Sequence, residues 1–125
     1  MDKTIKRTFK IPIYFGMLTV VVCKELQPII DSMGINFDAK GFVALTAKKM
    51  TSTGHRRYFI FLTPDCDEGD IAHECKHVLN MIFQFIGMRL DTDNDEAESY
   101  FLGWLVKRVM SVYKQHKNAE PGATV

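Results

Sequence analysis

The chain has little of what would place it outside the ordinary globular class. Its three cysteines in 125 residues, an odd number at unrelated spacings, build no disulfide framework and fit a reducing compartment. No run of residues approaches the roughly 18 apolar positions of a membrane span, and no segment is repetitive or low in complexity. An excess of one charge is missing as well. The 16 Lys and Arg against 15 Asp and Glu leave +1 at pH 7, so the overall balance predicts neither nucleic acid nor membrane as a partner. With 46% hydrophobic residues there is enough apolar surface for one core. A single domain is expected over residues 1–117, with a flexible tail over 118–125.

What the chain does contain is a motif on a helix. Residues 70–79 read DIAHECKHVL, a His-Glu-x-x-His run from His73 to His77 within apolar positions at helical spacing. Residues i and i+4 lie one turn apart on one helical face, so both imidazoles can close on a single ion. Glu74 stands beside the first histidine, placed to take a proton from a metal-bound water rather than to bind the metal. Zinc with three protein ligands keeps a position open for that water and lowers its pKa to about 7. With four histidines in the chain, a chance match is expected in roughly one such chain in a hundred or fewer.

Two histidines need a third ligand. After Gly87 the chain reads DTDNDEAESY over residues 91–100 and continues as a helix. His-Glu-x-x-His followed by Asn-x-Glu-Ala-x-Ser resembles the gluzincin branch of the zinc metallopeptidases, thermolysin-like enzymes among them. The resemblance covers residues 70–106 and implies Glu96 as third ligand, one Zn(2+) per chain and a minimal zincin-like domain. Glu96, Ser99 and Gly103, at i, i+3 and i+7, also form a stripe of small residues under the carboxylate, which would let two helices approach. Two other readings stay open: a capping box with Asp93 at the N-cap and Glu96 at N3, and Asp95 as the ligand instead. Where thermolysin-like enzymes carry an Asp bonded to a zinc-bound histidine, this chain has Tyr100. In size it is similar to small single-domain HExxH proteins of phages and mobile elements.

Upstream, Ile5, Phe9, Ile11 and Ile13 alternate with Lys6, Thr8 and Lys10, a period of two that predicts a strand rather than a secretory signal. A turn at residues 14–16 and a strand over 17–22 follow, with Cys23 as a core thiol. Leu26, Ile29, Ile30 and Met33 mark a short helix ending at Gly34, with Pro28 in its first turn. Residues 41–47 and 57–62 read as strands around a basic tip, 48–56, that contains His55. The tip reads as a solvated loop, or as a contact site for a partner or an acidic substrate. Asp65 or Asp67 should cap the motif helix, with Glu68 or Asp70 at N3. Cys66 lies in the loop before it, and Cys75 should face the core with Ile71, Val78, Leu79 and Ile82. The final helix runs over about 95–115.

These elements predict an α+β fold, a small mainly antiparallel sheet of about four strands packed against three helices. The function they point to is zinc-dependent hydrolysis of a peptide bond in a peptide or a specific protein partner, with Glu74 as general base. The resemblance implies that the strand before the motif helix, Tyr58, Phe59, Ile60 and Phe61 in particular, borders the cleft and holds substrate by strand addition. A further donor to the carbonyl oxygen, or a partner of the ligand histidines, is sought among Tyr100, Tyr113, His55 and His116. The expected location is cytoplasmic, in a host cytoplasm or virion for a phage protein. The other class of reading is a non-catalytic phage structural or host-defence-blocking factor that keeps a zinc site.

Overall fold

The computed structural model describes residues 3–119. Strand β1 (Ile5–Lys10) turns into β2 (Met17–Val22), α1 (Gln27–Ser32) follows, and β3 (Ala44–Met50) pairs as a hairpin with β4 (Arg56–Leu62). Two longer helices complete the chain, α2 (Glu68–Ile86) and α3 (Glu96–Ala119). The four strands form one sheet in the order β1-β2-β4-β3. The architecture is α+β with three helices, and the two outer pairs are antiparallel while the central β2–β4 pair is parallel.

A strand covered on both faces needs apolar residues at every position. β4 meets that demand from Tyr58 to Leu62, and β2 from Leu18 to Val22 except at Thr19, all of them buried. On one face Val20, Ile60 and Leu62 pack with Ile71, Val78 and Ile82 of α2 and Leu105 and Val109 of α3. On the other, Val21, Phe59 and Phe61 pack with Leu26 and Ile30 of α1 and its flanking loops. Each such large side chain removed from water contributes about 1.5–3 kcal/mol.

The position of β4 overturns the expectation that residues 58–61 hold substrate. β4 is hydrogen-bonded to β2 on one side and β3 on the other, so no backbone group is left for an added strand. The edges are β1 and β3. β3 also begins three residues later than expected, because a turn from the Phe42 N–H to the Ala39 carbonyl (3.1 Å) occupies the preceding stretch. Lys48, Lys49, Met50 and Arg56 are therefore strand residues, and the hairpin turn is confined to 51–55.

α2 starts where the sequence placed it. Asp67 accepts from the Asp70 N–H (2.8 Å) and Asp70 accepts from the Asp67 N–H (3.0 Å), a reciprocal capping box that satisfies two groups the helix start leaves unpaired. It ends at Gly87 with φ 78°, a left-handed C-cap. α3 starts at Glu96 and includes Asn118 and Ala119, both expected in the tail; residues 120–125 of that tail lie outside the described residues.

The β1–β2 turn is pinned by Tyr14, whose ring stands edge-on to Phe83 (5.4 Å) and Phe101 (5.0 Å) where α2 ends and α3 begins. Gly16 closes the turn at φ 99°, and a Cβ there would lie 3.1 Å from the Arg56 carbonyl oxygen. Gly16→Ala combines that contact with the left-handed penalty, so it should cost at least about 1–2 kcal/mol. Urea unfolding checks this, and an unchanged midpoint would contradict the turn geometry.

Candidate metal centre

Helical spacing puts His73 and His77 on the solvent side of α2 while Ile71, Cys75, Val78, Leu79 and Ile82 turn into the core. The two imidazoles converge, with Nε2 to Nε2 at 3.0 Å. Two nitrogens held at 2.0–2.1 Å from one tetrahedral ion would stand about 3.3 Å apart. The observed spacing is close to what a shared ion requires, and the histidine donor pair fits zinc.

Glu74 lies between solvent and core, its side chain 10% exposed against 67% for His73. A carboxylate leaving water needs hydrogen-bond donors in exchange. The Thr46 hydroxyl of β3 donates to Glu74 Oε1 at 2.8 Å, which fixes the carboxylate against the sheet edge. Oε2 then stands 3.9 Å from His73 Nε2, beyond a direct hydrogen bond and wide enough for a bridging oxygen. The residues border a cleft of about 290 Å³ between α2 and β3, lined also by Phe37, Phe42 and Met81. Phe37 and Phe42 pack edge to face at 5.3 Å.

Glu96 is not brought to this pair. It is the first residue of α3 and exposed, and Ser99 and Gly103 beneath it are exposed too. Nothing lies within 4 Å of a Cβ built on Gly103, so the small-residue stripe faces solvent rather than α2. Among the described residues no group of three or more His, Cys, Asp or Glu is placed to hold a metal. Neither expected alternative changes this. Asp93 does not cap α3, whose first turn closes from the Ser99 N–H to the Asp95 carbonyl (2.9 Å), and exposed Asp95 does not join the histidines.

The four candidate helper residues lie outside the cleft lining. The Tyr113 hydroxyl points at the carbonyls of Cys66 (2.8 Å) and Pro64 (3.1 Å), tying α3 to the loop before α2. Burial raises its pKa above the usual tyrosine value. His116 is buried, with Nε2 2.9 Å from the Lys3 carbonyl oxygen. His55 closes the β3–β4 turn through its backbone N–H on Thr51 (3.0 Å), and Tyr100 is 75% exposed on α3. The three cysteines are free thiols buried in the fold. Burial, with Glu74 nearby, pushes the Cys75 thiol up to about 12. Burial, with Asp70 and Asp67, does the same to Cys66.

Thr46 is the site residue that sequence reading passed over. Its signal was a hydroxyl at one of the positions of β3, with Ala44, that alternate toward α2. No family model matches the chain, and no curated protein or solved structure is significantly similar to it.

Proposed function

We propose that the chain is a zinc-dependent hydrolase of peptide bonds, with His73 and His77 as protein ligands of the ion and Glu74 as general base. The observation that carries this reading is the joint geometry of the three residues. Two ring nitrogens meet at 3.0 Å, and the carboxylate beside them is clamped by Thr46 with its second oxygen turned toward His73. When bound, zinc would polarise the scissile carbonyl and acidify a water. Glu74 Oε2 is then the atom that takes the water's proton and returns it to the leaving amine. The Thr46 hydrogen bond keeps Oε1 from competing for that role and holds the carboxylate in one rotamer.

Substrate would lie along β3 rather than β4. β3 is an edge strand beside the cleft, and an extended peptide can add to its free backbone groups. Phe37 and Phe42 offer an apolar wall for a side chain. One observation favours the second reading, a non-catalytic interaction protein: among the described residues the histidines have no third protein ligand.

Zinc-loaded protein incubated with a peptide library should generate new termini by mass spectrometry, and chelator-treated protein should not. Thr46→Val removes a hydrogen bond to a charged group, worth about 1.5–3 kcal/mol. It should slow cleavage at least about tenfold. Cleavage that survives chelation would sink the zinc reading, and an unaffected Thr46→Val would remove β3 from it.

A further inference from the structure

The four strands contain no aspartate or glutamate, yet they carry seven of the chain's 16 Lys and Arg. The net charge of +1 conceals this separation, because the acids among the described residues sit in the helices and loops.

Strand register shows where the cations go. Ile5 and Phe9 pack on the side of α2 and α3, so Lys6, Thr8 and Lys10 point to the opposite face. Across the sheet, Lys10 pairs with Met17, Met17 with Arg57, and Arg57 with Lys49, one row spanning all four strands. The next row is Thr8, Thr19, Phe59 and Ala47. α1 should cover this face, but its six residues span only about 9 Å. It shields Val21, Phe61 and Leu45 and leaves the basic row open.

Between the end of α1 at Met33 and the start of the β3–β4 turn lies a groove of about 300 Å³, lined by Lys6, Thr8, Thr19, Lys49, Thr51 and Arg57 with Phe59 and Met33. No carboxylate is among these residues, and none is ion-paired to Lys6, Lys10, Lys49 or Arg57 among the described residues. Lys49 gives one N–H to the Met33 carbonyl (3.0 Å) and has donors to spare. Thr19 is buried and Thr8 exposed; their hydroxyls share one hydrogen bond at 3.0 Å, so with Thr19 donating, the Thr8 hydroxyl proton is left to offer. Unpaired cations beside hydroxyl donors are the side chains that contact phosphate oxygens.

We infer that this open face of the sheet, with Lys6, Lys10, Lys49 and Arg57 around Thr8 and Thr19, binds a single nucleic-acid strand through its phosphates. Groove size favours one strand over a duplex. A groove of about 300 Å³ has room for a short segment of one backbone and not for both strands of a duplex. The site is separate from His73, Glu74 and His77 and does not depend on the hydrolase proposal.

The test is fluorescence anisotropy with labelled oligothymidylate, the same sequence as a duplex, and a poly-glutamate peptide as competitor. At about 50 mM salt the single strand should bind in the micromolar range, with log K falling against log salt at a slope of about −2 to −3. Lys10→Gln and Arg57→Gln should each make that slope shallower by about 0.7, and Lys6→Gln/Lys10→Gln/Arg57→Gln should weaken binding more than about tenfold. Circular dichroism verifies that fold is kept; if the triple variant unfolds, Arg57→Gln alone decides. Lys107→Gln/Lys114→Gln on α3 and Glu74→Gln should bind as wild type. No binding at low salt, equal binding of duplex, or displacement by poly-glutamate at matched charge would overturn the inference, the last assigning the face to an acidic peptide.

Discussion

Glu74→Gln is expected to lose about two to four powers of ten in peptide hydrolysis while keeping its zinc and its fold. The side chains have the same shape, and Glu74 is not counted among the ligands. The amide oxygen can still accept from the Thr46 hydroxyl that now bonds Oε1 at 2.8 Å, so the clamp to β3 survives. The difference falls on the other atom. Oε2 faces the histidine pair, and an NH2 group there is a donor that takes up no proton. The loss corresponds to about 3–5.5 kcal/mol of transition-state stabilisation. Cleavage rate at matched zinc content, with circular dichroism beside it, makes the measurement. A zinc-loaded Glu74→Gln protein as active as wild type would refute the general-base role and leave the non-catalytic interaction protein as the better account. Thr46→Val should fall between the two, because it loosens the base without removing it.

Much of the fold was legible in the sequence where local chemistry decides it. The Asp67–Asp70 capping box, the Gly87 stop and the inward stripe of α2 all follow from residue type and a 3.6-residue period. At two points of the expected site, the motif competes with a pattern carried by the same residues. Tyr58 to Leu62 is a continuous apolar run, the mark of a strand covered on both faces, and it sits in the interior of the sheet. Glu96, Ser99 and Gly103 lie about 140–160° around the helix from Phe101 at 100° per residue, and Phe101 heads the buried row Leu105, Val109 and Val112. The helix's own apolar stripe thus turns the small-residue stripe away from the core. The partner of Glu74 was harder to read, because Thr46 meets it across 28 positions of sequence and strand order is a tertiary property. Summed charge was misleading for a similar reason. A balance of +1 carries no information on whether cations and carboxylates share a face, and here the sheet takes only cations.

The largest expected effect belongs to the histidines. Wild type is expected to bind about one zinc, and His73→Ala or His77→Ala should each abolish stoichiometric loading. Replacing partners that merely orient a ligand costs 10–100-fold in metal affinity; removing one of two converging nitrogens should cost more. Hydrolysis should then fall to background in both variants. Fold should be kept, since both rings lie on the solvent side of α2 and the core residues of that helix are untouched. Glu96→Ala makes the comparison decisive. With Glu96 exposed at the start of α3 and outside any metal-holding group among the described residues, its removal should leave zinc content and rate unchanged. Elemental analysis of the four proteins after dialysis against limiting zinc reads all of this at once. Equal zinc in every protein would end the metal-centre reading. Loss of zinc in Glu96→Ala as well as in the histidine variants would mean that α3 brings its first turn to the histidines when metal binds, and would overturn the arrangement of the two helices described above.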